Sequence, residues 1–586
     1  TAVYIAMQWM NQMNKSGLYF ALPTATTSNQ MYDRLNRFLK HDMEVEETIK
    51  LIHSTSWVME EPANDYSDDF IEKLNNSDDN ELQKAAQRWF APNRVGLLKP
   101  WAVGTVDQVM GAVLRMRFGV LRLLGISQKI LIIDEVHAYD IFMETIIVRL
   151  LEWCKMLKIP IILLSATLPA NKRKELLKSY GGNNNCIYSD TYPVISHVGF
   201  NGDESSYAVE GEYKEKTIRI NRIESLGDWD SIARFAINRI EKDGGCACII
   251  VNTVNEAQIL FEKIHYIIAE SESDIETMLF HARFTLGERK LIEEKCLELF
   301  DKRSINKQRK PIILIATQVV EQSLDLDFDW MISSIAPMDL LLQRMGRLHR
   351  HPGRSRPHGY EFAEFVVLLP KDGYAYDVNE KVYSPWLLYK THINLPDYLC
   401  VPNDIRCLIE AVYETESPRD DIGKRFWAGM ETRKHKMAED AKRILLGKPS
   451  EDEFTLKYAQ QLNEDSESDD IIKAKTRSGE DSKMLILVEE TLFERIKYKE
   501  YWNKNLAKEL LMKSVSIPLW KVPTNKPVSG YKKYEYGKGK LSLALVIPMK
   551  NMNGKLIYEW KSNSGETWFL EDNKFLGIII RRDTNV

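Results

Sequence analysis

The amino-acid sequence predicts an α/β protein: two tandem domains built on parallel sheets, a helical region after them, and a small β-rich region at the end. Three observations carry this. Short apolar runs alternate with helical patterns through roughly the first 370 residues, which implies parallel strands covered by helices on both faces. The alternation comes in two series, separated by the polar stretch Asn201 to Lys216. From Lys513 onward it gives way to Trp, Tyr, Lys and β-branched residues with turn signals. A chain of 586 residues has room for about four domains at a prior of ~150 residues each. The boundaries read as 1–216, 217–370, a helical linker region 371–470 and an accessory region 471–586.

In the first series, Leu18 to Leu22 is a strand, followed by a helix from about Ser28 to Leu39. Ala102 and Val103 end a strand before a helix over Asp107 to Arg117, and Ile130 to Ile133 and Ile161 to Leu164 are uninterrupted apolar strands. The second series has strands at Ala247–Val251, Thr277–Phe280, Ile312–Ala316 and Trp330–Ile335, with helices such as Asn255–Ile268 and Glu288–Phe300 between them. Glu60 to Asn80 is polar and acidic and reads as an insertion; Asn463 to Asp470 is an acidic run that reads as a solvated linker. The chain opens on Thr1 and runs into Ala2, Val3, Ile5, Ala6, Met7 and Met10 with no basic segment before them. That pattern is a helix already under way rather than a signal peptide, and leads us to expect a fragment of a longer protein.

Composition excludes several classes. Hydrophobic residues make up 44% and charged residues 28%, so the chain is neither disordered nor collagen-like. No apolar run reaches the ~18 residues a membrane helix needs. The seven cysteines are scattered, with Cys246 and Cys248 the closest pair, so neither a zinc spacing nor a redox CxxC is present and a reduced cytosolic protein is expected. The net charge of −5 excludes a small basic nucleic-acid-binding domain, but not a large enzyme with a local basic groove.

Four blocks carry chemistry. In Lys129–His137 (KILIIDEVH) a buried strand ends in two carboxylates, where open parallel sheets place their ligands. Asp134 there can hold Mg²⁺, Glu135 can orient and deprotonate a water attacking a γ-phosphate, and His137 is placed to couple that site to its surroundings. About 30 residues later, Ile161–Pro169 (IILLSATLP) ends a strand in Ser165 and Thr167, hydroxyls able to bond the acidic loop and a neighbouring domain. The run IATQVVEQSLDLDFD, from Ile315, places Thr317 and Gln318 at a strand tip, suited to a nucleic-acid backbone, and Asp325 and Asp327 beyond it, suited to a ribose hydroxyl. In Gln343–His351 (QRMGRLHRH), Arg344, Arg347 and Arg350 recur every third residue, the spacing of one helix face, and can stabilise charge on a transferring phosphate. Alone, these blocks also read as an acidic turn, a plain turn, an acidic connection and a basic helix end.

Taken together, and with LYFALPTATTSNQMYDRL, VGTVDQVM, RFGVLRLLG, VNTVNEAQ, LFHARF and NDIRCLIEAVY, they resemble the helicase part of the CRISPR-associated helicase-nuclease of type I interference systems, a superfamily 2 helicase. The resemblance is dense over roughly residues 1 to 415. It implies two RecA-like domains that bind ATP and Mg²⁺ between them, with single-stranded DNA crossing their top and movement from 3′ to 5′. It implies recruitment by a crRNA-guided surveillance complex, and cleavage by an HD nuclease domain, fused or separate. By residue, it implies that Asp134 and Glu135 bind Mg²⁺ and activate water, and that Ser165 and Thr167 couple the domains. Thr24, Thr105, Thr317 and Gln318 then touch DNA, while Asp325, Gln343, Arg347 and Arg350 face the nucleotide.

Two departures stand out. No GxxxxGK[ST] loop occurs in the 586 residues, so the chain alone is expected to hydrolyse ATP poorly. His41–Asp42 is the sole His-Asp pair and reads as a surface pair, so no HD nuclease is expected within these residues. An RNA helicase of the DEAD/DEAH kind and a non-catalytic nucleic-acid-binding fragment are the rival readings. The aromatic residues Trp502, Trp520, Tyr531, Tyr534, Tyr536, Trp560 and Trp568 read as core or interface anchors, and Lys532, Lys533, Lys538 and Lys540 as a weak nucleic-acid signal. The segment His281–Arg283 reads as a strand tip near DNA.

Overall fold

The computed structural model describes residues 1–39, 49–53, 96–115, 119–183, 192–209, 215–304, 309–321, 324–413, 417–449, 482–496, 504–522, 544–561 and 566–582. The Glu60–Asn80 insertion, the acidic linker at 463–470, His41–Asp42, Arg117, Trp502, Tyr531, Tyr534, Tyr536 and the lysines at 532, 533, 538 and 540 lie outside the described residues. The chain divides into two compact units, one of Thr1–Gly211 with Glu431–Gly479, the other of Glu212–Met430 with Glu480–Val586. Among the described residues no helix is long and apolar enough to cross a membrane.

The first unit is built on strands β1 (Gly17–Leu22), β2 (Lys50–Ile52), β3 (Trp101–Thr105), β4 (Lys129–Ile133) and β5 (Ile161–Leu163), in the order β2-β3-β1-β4-β5. All four pairings are parallel. Apolar residues run without interruption because both faces are covered. Ile130 and Ile132 point to one face, against Ala6, Leu35 and Leu39 of the first two helices. Leu131 and Ile133 point to the other, against Ile146, Ile147 and Leu150 of helix Ile141–Met156. All four strand residues are fully buried, and each stabilises the sheet by about 1.5–3 kcal/mol. The second core closes with a segment distant in sequence. Arg115 N–H donates to the Ile444 carbonyl at 2.8 Å, Leu446 N–H to Val113 at 2.9 Å, and the Trp153 indole to Gly447 at 3.1 Å. An antiparallel hairpin of β6 (Val194–Val198) and β7 (Glu204–Ala208) follows the sheet.

Two details differ from the sequence reading. The helix expected over Asp107–Arg117 is instead a short helix Val106–Met110 and a 3₁₀ turn Gly111–Val113. It stops because Leu114 turns extended and bridges to Leu445, a contact no local pattern encodes. The polar stretch Asn201 to Lys216 is not connection throughout, since it contributes β7 and begins the next strand.

The second unit holds β8 (Lys216–Glu224), β9 (Cys246–Ile250), β10 (Glu276–Phe280), β11 (Ile312–Ala316), β12 (Trp330–Ser334), β13 (Ala363–Leu369) and β14 (Tyr398–Val401). They form one sheet in the order β10-β11-β9-β12-β13-β8-β14, parallel except for β14 against β8. Alternate residues of β9 again serve opposite cores: Cys246, Cys248 and Ile250 on one side, Ala247 and Ile249 on the other. Strands β8, β13 and β14 are the elements of this sheet that the sequence reading passed over. The alternating KTIRINRIE of β8 buries only Ile218 and Ile220 deeply, the pattern of a strand near the sheet edge. Helices Pro385–Asn394 and Ile405–Tyr413 pack on this unit, and helix Asp421–Ile444 leads back to the first.

The expected β-rich end is a six-stranded sheet of β15 (Ser482–Glu489), β16 (Ser514–Pro518), β17 (Leu545–Met552), β18 (Lys555–Lys561), β19 (Thr567–Asn573) and β20 (Gly577–Arg582). Trp560 is buried in its core and stacks on Trp568 with ring centroids 6.1 Å apart.

Candidate functional site

In the first unit the carboxyl ends of β1, β3, β4 and β5 lie side by side. Leu22 is level with Thr105 and Ala21 with Ile133. Backbone bonds continue past the strands: Asp134 N–H donates to Ala21 at 3.0 Å, Leu164 N–H to Ile133 at 2.9 Å, and Val136 N–H to Leu164 at 3.1 Å. The tips of β4 and β5 are thus zipped together just where the side chains turn polar.

Glu135 sits at φ 55°, a left-handed conformation that a non-glycine residue adopts only where its surroundings impose it. That turn breaks the strand and aims Glu135 and His137 at one another. His137 Nε2 lies 3.3 Å from Glu135 Oε2, and His137 Nδ1 lies 3.1 Å from Ser165 Oγ. Both ring nitrogens are therefore engaged, with the His137 side chain 2% exposed and that of Glu135 37% exposed. Asp134 accepts from Glu135 N–H at 2.9 Å, and its own carbonyl accepts from the Tyr139 hydroxyl at 2.9 Å. Burial pushes its carboxyl above the ordinary carboxylate range, with the Glu135 N–H opposing. Among the described residues no cationic side chain pairs with Asp134. A partly desolvated carboxylate without a cation suits Mg²⁺, which binds through one or two carboxylates and substrate phosphates.

Thr24 caps helix Ala25–Arg37. Its Oγ1 accepts from Thr27 N–H at 3.2 Å, and Thr27 Oγ1 reciprocates. Thr105 is buried at the neighbouring tip, its carbonyl accepting from the Tyr19 hydroxyl at 3.1 Å. Thr167 is also buried, and its hydroxyl has no hydrogen-bond partner among the described residues.

The second unit corrects several expectations. Arg344, Arg347 and Arg350 do not share a helix face. Helix Met338–Met345 ends just after Arg344, Gly346 follows, and Leu348 leaves the helix to bridge with Phe328. The three arginines have different surroundings. Arg344 is fully buried and ion-paired to Glu321, with 2.6 Å between Nη2 and Oε1. It also donates to Ser333 Oγ at 2.7 Å, Ser334 O at 3.1 Å, Asn252 Oδ1 at 3.1 Å and the Tyr383 hydroxyl at 3.2 Å. Burial opposes its charge, but Glu321 and Tyr383 outweigh that and hold it protonated. Arg347 is buried and donates to the Glu321 carbonyl at 2.7 Å. Arg350 alone is well exposed, its side chain at 42%, and pairs with Asp325 at 2.5 Å. Gln343 is half-buried on the same helix.

At the tip of β11, Thr317 is buried and its N–H donates to Phe280 at 3.2 Å. Gln318 turns inward, donating to Asn252 O at 2.9 Å and to the Tyr383 hydroxyl at 3.1 Å. Asp327 faces the sheet base rather than a ligand. It is fully buried, pairs with Arg354 at 2.7 Å and Arg356 at 2.8 Å, and accepts from Arg350 N–H. Burial raises its carboxyl, but Arg356 and its neighbours outweigh this and keep it ionised. His281, read as a residue near DNA, is fully buried and hydrogen-bonded to Leu576 O at 3.1 Å. Glu321 and Arg344 were visible in the motifs but not their pairing, and nothing in the sequence marks Asn252 or Tyr383 as their partners.

The first unit is thus a parallel α/β fold with an acidic strand tip wired to a serine. The second is a mainly parallel α/β fold with an arginine segment following strand β12. Together they are two tandem RecA-like units. Residues 243–353 match the family described as CRISPR-associated nuclease/helicase Cas3, C-terminal. The chain is 34% identical over 450 residues to the Cas3 nuclease/helicase of Streptococcus thermophilus, covering 72% of this chain and 46% of that protein. It superposes on the crystal structure of T. fusca Cas3 with a TM-score of 0.82 and 26% identity, over 99% of this chain and 67% of that one. The T. fusca protein has also been crystallised with ATP. A further match, at TM-score 0.75 and 25% identity, is to a chain of a CRISPR RNA-guided surveillance complex in a pre-nicking state. The chain is similar to the helicase region of the Cas3 proteins, and spans about half the length of the curated relatives it matches.

Proposed function

We propose that this region, in the cytoplasm, drives movement along single-stranded DNA at the expense of ATP in type I CRISPR interference. The observation that carries this reading is the Glu135–His137–Ser165 chain at the tip of an all-parallel sheet. Glu135 accepts the proton of the attacking water, and His137 keeps its carboxylate oriented. Through its bond to Ser165, His137 links that chemistry to the Ser165–Thr167 loop, which acts as the coupling element. Asp134 is the residue that would hold Mg²⁺, which when bound neutralises phosphate charge. Arg347 and Arg350 supply positive charge to the transferring phosphoryl group, and Asp325 and Gln343 face the nucleotide. Thr24, Thr105, Thr317 and Gln318 line the nucleic-acid path at the strand tips. Unwound DNA passes to an HD nuclease domain outside these residues, and a crRNA-guided surveillance complex delivers the substrate.

The test is nucleic-acid preference of ATP hydrolysis by the full-length protein. Stimulation by single-stranded DNA and not by single-stranded RNA is expected. Stimulation by RNA alone would favour an RNA helicase instead, and ATP binding without stimulated hydrolysis a non-catalytic module.

A further inference from the structure

Gln318 stands at the tip of β11, where a side chain that touches nucleic acid is expected to donate to phosphate oxygens. Its geometry forbids that. A glutamine amide nitrogen has two hydrogens. One goes to the Asn252 carbonyl at 2.9 Å, which can only accept, and the other to the Tyr383 hydroxyl at 3.1 Å. The orientation of the amide is therefore fixed, and both of its donors are in use. What remains is Oε1, which no described residue engages.

The partners that impose this are themselves locked. Asn252 Nδ2 donates to Ile335 O and to Asn379 Oδ1, both at 2.7 Å, and Asn252 Oδ1 accepts from Arg344 at 3.1 Å. The Tyr383 hydroxyl accepts from Gln318 at 3.1 Å and from Arg344 at 3.2 Å. Burial pushes that phenol up to about 12, so it stays protonated across the working range. Asn379 and Tyr383 belong to the segment between β13 and β14, outside all the helicase motifs. They bind the tips of β9 and β11 and the buried arginine of helix Met338–Met345 into one network.

We propose that Tyr383 is a positioning residue that makes Gln318 an acceptor-only group, so that Gln318 meets single-stranded DNA through a base N–H and not through a phosphate. This rests on the reading of the region as a DNA-stimulated ATPase. A DNA chain offers no free sugar hydroxyl along its length, so base edges hold its only donors. Every base has such a donor on its Watson–Crick edge, so the contact tolerates any sequence.

The test uses the full-length protein, oligo(dT), and the same oligomer methylated at thymine N3, which removes the only N–H of the base. Tyr383→Phe is expected to lower the oligo(dT)-stimulated kcat about tenfold while leaving the KM for ATP within about twofold. Gln318→Met, which keeps the length and removes the amide, should do the same. The double variant should be no worse than either single one, because both break one link. N3 methylation should lower stimulation of the wild type and leave that of Gln318→Met unchanged. Equal losses on methylation in wild type and Gln318→Met, or full stimulation in both single variants, would overturn the proposal. So would additive losses accompanied by a raised KM, which mark a merely structural role. Failure of the underlying reading looks different: the wild type itself would show no DNA-stimulated hydrolysis.

Discussion

At the scale of single residues, Glu135 and Asp134 have different surroundings that their adjacency conceals. Glu135 sits in a left-handed turn against His137, while Asp134 stays in line with β4 and bonds back to the Glu135 N–H. Glu135→Gln keeps the shape but cannot accept a proton, and should lower kcat by about 10²–10⁴-fold with nucleotide affinity nearly unchanged. Isothermal titration with a non-hydrolysable analogue beside steady-state rates separates the two effects. Asp134 adds a pH dependence. Its carboxyl is raised by burial, and only the ionised form binds a cation, so acid inactivation should begin at higher pH than an ordinary carboxylate would give. A pH–rate profile checks this; an acid limb at or below the ordinary value of 3.8 would contradict it. That two acids stand at the tip of β4 was legible in the sequence, because the buried apolar run Ile130–Ile133 ends there. The left-handed turn was not legible, since it depends on β5 being zipped alongside.

At the scale of elements, the arginine segment shows where a spacing rule fails. A three-residue repeat predicts one helix face, but the helix ends at Met345 and each arginine then finds its own environment. Arg344 is a buried structural ion, and its partner Glu321 is equally enclosed. Arg344→Met should therefore destabilise the second unit by about 3–5 kcal/mol, because an unpaired carboxylate is left behind. Arg344→Met with Glu321→Met should recover most of that loss in denaturant unfolding. The same unit carries an acid weakness. Burial, with the charge of Arg283, pulls His281 down to about 4, and burial with Arg356 does the same to His349. The unfolded chain takes up these protons near the ordinary histidine value of 6.5, while the folded one resists them to about 4. Stability from these groups is present above that upper value and is lost as pH falls through the interval. Thermal unfolding followed from pH 7 to pH 4 should show that fall, and His281→Gln should flatten part of it. Here alternation and apolar runs marked most strands. They missed β8, whose alternation is that of a half-covered strand, the strands β13 and β14, and the Leu114–Leu445 bridge, whose partners are far apart in sequence.

At the scale of the whole molecule, chemistry is distributed between two units that the chain crosses more than once. Residues 431–479 group with the first unit although they follow the second, so helix Asp421–Ile444 passes from one to the other. The carboxylates Asp134 and Glu135 belong to the first unit, and exposed Arg350 to the second. The most direct measurement is steady-state ATP hydrolysis by full-length wild type and Arg350→Ala, with and without single-stranded DNA, beside a salt titration of DNA binding. The account predicts DNA-stimulated hydrolysis in the wild type. It predicts that Arg350→Ala loses this by about 10³-fold while DNA affinity and its salt slope hold. A variant that keeps its stimulated rate but binds DNA more weakly, with a shallower salt dependence, would make Arg350 a phosphate contact on DNA and contradict its assignment to the nucleotide.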